Sequence, residues 1–93
     1  MILDIVSPEA KLFSGQVTSV TVPGVDGSFQ ILNNHAPIVS ILEKGTIKIA
    51  APSFNFSKEV ADKFVRVNDQ TYTLGITSGT IEMKDNKVIV LVD

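Results

Sequence analysis

The chain has 93 residues, 44% of them hydrophobic, a formal net charge of −2 and no cysteine. That length holds a single core, so residues 1–93 are expected to form one domain, and the missing thiols exclude disulfides, thiolate metal sites and a cysteine nucleophile. The eight Lys and Arg residues are scattered along the chain, leaving no basic run to follow a phosphate backbone, so nucleic acid is not an expected partner.

Ile2 to Val6 is a short β-favouring run that ends at Ser7-Pro8, where proline removes a ladder donor. It has no basic leader segment and is broken by Asp4, so it does not read as a signal peptide, and no apolar run approaches the ~18 residues that span a bilayer. A cytoplasmic chain is the expectation. Val17 to Val22 alternates and meets Pro23-Gly24; Phe29 and Ile31 face one way, Ser28 and Gln30 the other. Ile38 to Leu42 is nearly continuous in apolar residues, the pattern of a strand buried on both faces. Ile47 and Ile49 alternate with Thr46 and Lys48, and Tyr72, Leu74 and Ile76 with Thr71, Thr73 and Thr77. Lys87 to Val92 is a second continuous apolar strand.

Pro23-Gly24, Asp26-Gly27, Asn33-Asn34, Glu43-Lys44-Gly45, Asn68-Asp69 and Asp85-Asn86 supply turn chemistry between these runs. Short strands with turns at about 8–12-residue intervals predict an all-β antiparallel sandwich. Ala51 to Val67 is ambiguous. Phe54 and Phe56 alternate like a strand, whereas Val60, Ala61, Phe64 and Val65 fall on one helical face over Lys58 to Arg66, with Ser57 as its N-cap. A short helix or an irregular hairpin is expected there. Gly75 and Gly79 are expected to mark a bulge or a close backbone approach.

Chemistry has little to work with. His35 is the only histidine; a Ser-His-acid arrangement would need a nucleophile elbow, and a metal site would need clustered acids, and neither is present. Its setting, Asn33-Asn34-His35-Ala36-Pro37, reads as a loop held by side-chain hydrogen bonds. The glycines of Pro23-Gly24-Val25-Asp26-Gly27 lack the Lys-Ser/Thr ending of a phosphate cradle and read as a hairpin with an exposed tip. Asn55-Phe56-Ser57 matches a glycosylation sequon that has no secretory signal to accompany it. Glu9, Glu43, Glu59 and Glu82 stand singly and read as solvated surface. No catalytic, metal-binding or cofactor-binding residue is identified. A mean hydropathy of +0.28 in so small a chain points instead to a covered apolar face, and hence to binding other proteins. A carbohydrate-binding or adhesive sandwich is the alternative, although there is no Trp and a single Tyr.

Gly27-Ser28-Phe29-Gln30-Ile31-Leu32-Asn33-Asn34-His35-Ala36-Pro37-Ile38 resembles the signature of the epsilon subunit of rotary ATP synthases, typically G-x-hydrophobic-x-I-L-P-x-H-A-P-hydrophobic. Further blocks of resemblance are Ile5 to Glu9, Leu12 to Gly15, Val20 to Gly24, Leu42 to Gly45, Ser78-Gly79 and Asn86 to Asp93. The chain departs from the pattern at Asn33, where proline is usual, at Thr80, which replaces a second glycine, and around 51–68, which looks like an insertion. The C-terminal helical hairpin common in the family is not among these residues.

The resemblance implies a ten-stranded sandwich of two antiparallel sheets at the foot of the central stalk, gripping the gamma subunit and resting on the c-ring. It implies a non-catalytic rotor subunit, peripheral on the cytoplasmic face of a bacterial membrane, that contacts the bilayer only through the c-ring. Carried over by position, Ser7, His35 and Ser40 would face gamma, and Asp26, Gly27, Ser28, Asn33 and Asn34 would face the c-ring. Gamma binding with Ser40→Arg as control would test the assignment.

Overall fold

The computed structural model describes residues 1–93 as ten strands: β1 (Ile2–Val6), β2 (Lys11–Gln16), β3 (Ser19–Gly24), β4 (Gly27–Leu32), β5 (Ile38–Leu42), β6 (Gly45–Ala50), β7 (Phe64–Asn68), β8 (Thr71–Ile76), β9 (Gly79–Lys84) and β10 (Lys87–Val92). They are joined in one curled sheet in the order β2-β1-β10-β9-β5-β3-β6-β8-β7, with β4 paired to β3. The curl folds it into two layers. Layer I is β2-β1-β10-β9-β5 and layer II is β4-β3-β6-β8-β7. They meet through the single β3–β5 register pair Gly24 with Leu42. All pairings are antiparallel except β1 with β10.

Alternation builds the core. Leu3, Ile5, Ile81, Met83, Val88 and Val90 point inward from layer I, and Val20, Val22, Ile31, Ile47, Ile49 and Leu74 from layer II, each at most 4% exposed. A two-residue period puts every second side chain on the inner face, so these positions need no further specification.

Pro23 lies inside β3, not in the turn that follows it. It can do so because β3 changes partner here: Ser19 to Thr21 pair with β6, and Gly24 pairs with β5. At that fork no ladder donor is needed, and the Pro23 carbonyl still accepts the Glu43 amide at 2.8 Å. The corner is close-packed, since a Cβ on Gly45 would lie 2.8 Å from Pro23 Cβ.

The 51–68 segment is an irregular loop, one 3-10 turn over Ala61–Lys63, and the edge strand β7. Of the two alternatives expected here, the irregular hairpin is the one that forms, and the helix over Lys58 to Arg66 does not. Val60 and Phe64 are buried as a helical face would require, yet Val65 is 64% exposed, and Phe64 to Arg66 pair with Leu74 to Tyr72 of β8. Ladder bonds to β8, together with β-branched Val65 and Val67, override the local helical preference. Ser57 contributes its backbone carbonyl, which accepts the Val60 and Ala61 amides at 3.2 and 3.0 Å; the turn has no side-chain cap.

The loop does structural work through its aromatics. Phe54 and Phe56 stack at 5.6 Å and cover Phe13 of β2, Phe64 of β7 and Tyr72 of β8, with centroid distances of 4.3–6.0 Å to these rings. The free edges of the two layers are thereby closed by rings where ladder bonds are absent.

Of the two flagged glycines, Gly79 makes the close approach, since a Cβ there would sit 2.4 Å from the Leu91 carbonyl oxygen, whereas Gly75 has open space around it.

Candidate functional site

The two runs read as strands buried on both faces are not so. In β5, Val39 and Ile41 are 79% and 65% exposed, and in β10, Ile89 and Leu91 are 36% and 52% exposed. Their even-numbered neighbours supply the core, so these four side chains all point out of layer I. Register aligns them in two rows across the layer. One row runs Ile41, Thr80, Leu91, Val6; the next runs Val39, Glu82, Ile89, Asp4. The result is a largely aliphatic surface on the outer side of layer I, interrupted by Thr80, Glu82 and Asp4, the kind of patch that marks a binding face.

At one end the rows open into a groove of about 480 Å³ between the β1–β2 turn and β9, bordered by Val6, Pro8, Ile41, Leu91 and Val92. Ser7 lies on this groove. Its hydroxyl donates to the Ala10 carbonyl at 3.2 Å, and the Ala10 amide returns a bond to the hydroxyl at 3.3 Å, which fixes the turn. Ser78 donates to the Asp93 carboxylate at the same end.

The opposite end is polar and tied together by asparagines. Asn86 Nδ2 donates to Asn33 Oδ1 at 2.9 Å, and the Asn34 amide donates to Asn86 Oδ1 at 2.8 Å. The terminal ammonium of Met1 also donates to Asn33 Oδ1, at 3.1 Å. Asn34, Asp85 and Asn86 hold φ of 64°, 53° and 60°, a region that Asn and Asp tolerate better than other side chains. His35 is exposed in this loop, with Nδ1 2.7 Å from its neighbour's carbonyl at Ala36.

Side-chain placement divides the residues singled out from the sequence. β1 carries the chain from Met1 at the asparagine end to Ser7 at the groove end, and β5 runs from beside His35 to Leu42 at the groove end. Ser7 and His35 therefore lie at opposite ends of layer I. Ser40 sits between them, opposite buried Ile81, on the inner side of β5 with Leu42. In layer II, β4 separates Asp26, Gly27 and Ser28 from Asn33 and Asn34 by its whole length, roughly 16–20 Å. The Asp26-Gly27 tip shares the groove end, since Gly24 pairs with Leu42. Gly27 has φ of +114°, which only glycine adopts without strain.

Sequence reasoning missed Val39, Ile41, Ile89 and Leu91 as surface residues. The signal was present: two nearly continuous apolar runs in a chain too short to cover both sides of a layer.

Electrostatics on the rest of the surface is sparse. The chain's ion pairs are Arg66 with Asp69 and Lys87 with Asp4. Arg66 is held above its ordinary range by the hydrogen bond from its guanidinium to Asp69 and by that carboxylate's charge. No three His, Asp or Glu side chains converge in a metal-holding group, and no helix is long and apolar enough to cross a membrane.

Residues 1–93 match the family described as ATP synthase, Delta/Epsilon chain, beta-sandwich domain. The ATP synthase epsilon chain of Chlorobium limicola is 37% identical over 91 residues, covering 98% of this chain and 86% of that relative. That of Leptospira borgpetersenii is 35% identical over 91 residues, covering 98% of this chain and 59% of the relative, so the chain spans about three-fifths of that protein's length. Among solved structures, a chain of the Tetrahymena thermophila mitochondrial ATP synthase central stalk and c-ring superposes with a TM-score of 0.65 at 20% identity, over 98% of this chain and 61% of that one. A chain of the Euglena gracilis mitochondrial ATP synthase F1 and c-ring assembly superposes with a TM-score of 0.76 at 16% identity, over 99% and 49%. At those identities the superpositions establish a shared fold, and the sequence match over the full 93 residues establishes descent: the chain belongs to the ATP synthase delta/epsilon chain β-sandwich family.

Proposed function

We propose that the chain is a non-catalytic rotor subunit of a proton- or sodium-driven ATP synthase, joining the gamma subunit to the c-ring. The observation that carries the reading is the outward aliphatic face of layer I. Val39, Ile41, Ile89 and Leu91 are exposed side by side in the free chain, and a partner that covers them gains their burial. The gamma subunit is assigned to this face, with Ser7 at its margin. Of the other two residues carried over to the gamma contact, Ser40 faces inward and His35 lies at the far end, so neither anchors the face. A close-packed two-layer sandwich transmits strain, which suits a subunit that carries torque.

The c-ring is assigned to the groove end, where the Asp26-Gly27-Ser28 tip projects. Asn33 and Asn34 lie at the other end, with side-chain or backbone groups engaged by Asn86 and Met1. A rigid sandwich resting one end on a ring uses one of these loops, not both. No helical hairpin lies within residues 1–93; coupling and assembly are the roles assigned to them. The same reading places the chain peripherally, on the cytoplasmic face of a bacterial membrane.

Calorimetric binding to the gamma subunit of the same organism tests the gamma assignment. Ile41→Asp is the informative variant, since Ser40→Arg would load charge on the inner side of β5. Tight binding weakened by Ile41→Asp is expected; binding indifferent to it would sink the assignment. For the c-ring, cross-linking in the assembled complex is expected from Asp26→Cys and not from Asn34→Cys, and the reverse pattern would move the contact to the asparagine end.

A further inference from the structure

On the outward side of β9, Glu82 and Lys84 are exposed and neither takes part in an ion pair; of the two, Glu82 is the one set between aliphatic neighbours. Glu82 lies on β9 between Val39 of β5 and Ile89 of β10, its register neighbours on either side. The other carboxylate of that row, Asp4, accepts the Ser14 hydroxyl at 2.6 Å and lies 3.8 Å from Lys87 Nζ. Glu82 takes part in neither of the chain's ion pairs and is exposed. Strands are ~4.8 Å apart, so any surface that covers Val39 and Ile89 also covers Glu82.

A carboxylate taken out of water without a partner is strongly penalised, and interface cores are depleted of charge for that reason. We propose that Glu82 is the polar anchor of the gamma-facing surface, and that the gamma subunit sets a cationic side chain, flanked by aliphatic contacts, against it. This rests on the assignment of gamma to layer I. The aliphatic rows supply affinity that many apolar surfaces could satisfy. The buried ion pair supplies selection, since a partner lacking the cation leaves Glu82 desolvated and unpaired. It also fixes the sliding position of gamma along the strands, because aliphatic rows alone repeat every two residues. The competing role for Glu82 is solubility, a lone charge that discourages self-association of an apolar face.

The test is binding of the 93-residue chain to purified gamma subunit at low and high salt, for wild type, Ile41→Asp and Glu82→Gln. Expected are a loss of at least about tenfold in affinity for Glu82→Gln, with most of the wild-type salt dependence removed. If Ile41→Asp weakens binding while Glu82→Gln binds as wild type, the anchor is overturned and the gamma face stands; increased self-association of Glu82→Gln would then identify the solubility role. Loss of affinity with salt dependence intact assigns the effect to packing and also overturns the anchor. If neither substitution weakens binding, the face assignment itself fails and the anchor with it.

Discussion

The rings of Phe13, on the last strand of one layer, and Phe64, on the last strand of the other, have centroids 6.5 Å apart. They meet across the gap where the curled sheet has no ladder bonds, and Phe56 stacks on Phe64 at 4.3 Å to seal the contact. Closure on this side depends on rings instead of backbone.

Phe13→Ala is accordingly expected to cost about 3–5 kcal/mol, the range for deleting a buried phenyl ring. Phe56→Ala, at a half-buried ring, is expected to cost about 1–2 kcal/mol. Urea denaturation of both variants measures this. Equal, small effects would show that the sheet closes without the cluster.

Gly79 and Gly75 make a matched pair. Gly79→Ala drives a methyl into the Leu91 carbonyl and is expected to cost about 2–3 kcal/mol. Gly75→Ala meets nothing and is expected to be neutral or to stabilise by up to about 1 kcal/mol through the unfolded chain. Thermal unfolding should rank the two in that order.

Asn86 performs two tasks, holding φ of 60° and bonding Asn33 and Asn34. Asn86→Gly keeps the first and is expected to cost about 1 kcal/mol; Asn86→Ala loses both and is expected to cost about 2 kcal/mol. Hydrogen exchange at the Asn34 amide should accelerate in both variants. An unchanged rate would mean that the bond to Asn86 does not protect it.

Arg66 bears on pH. Its raised pKa is due first to the hydrogen bond to Asp69 and then to that carboxylate's charge. A folded-state cation pKa above the unfolded value adds stability at pH below the unfolded pKa and loses it only as pH climbs through the folded one. Both lie far above neutrality, so Arg66 contributes no pH dependence between about pH 5 and 9. The pair is solvent-exposed, and Arg66→Gln is expected to leave the unfolding midpoint unchanged across that window.

Strand positions and hairpins were legible because a two-residue period and turn residues are local signals: Ile47 and Ile49 fell inward, and Asp85-Asn86 made the tight turn. The outward face was hidden by its own composition. A nearly continuous run such as Ile38 to Leu42 looks the same whether both faces are buried by one chain or one is left for a second. The choice between a short helix and an irregular hairpin stayed open for a different reason, since Val65 and Arg66 answer to β8, which follows them in sequence and leaves no trace in a local window. The asparagine knot was partly readable. Side-chain bonding in the Asn33-Asn34 loop followed from residue type, but its main partner, Asn86, lies more than fifty residues away.

β10, the last strand in the chain, is not at a margin of layer I but between β1 and β9, parallel to the first and antiparallel to the second. A chain in which residues 87–92 are unpaired can still form the β1–β2 hairpin and lay β9 against β5. It cannot join those halves. The apolar inner side of layer I stays divided until β10 is in place, so closure of that layer waits on the strand made by residues 87–92.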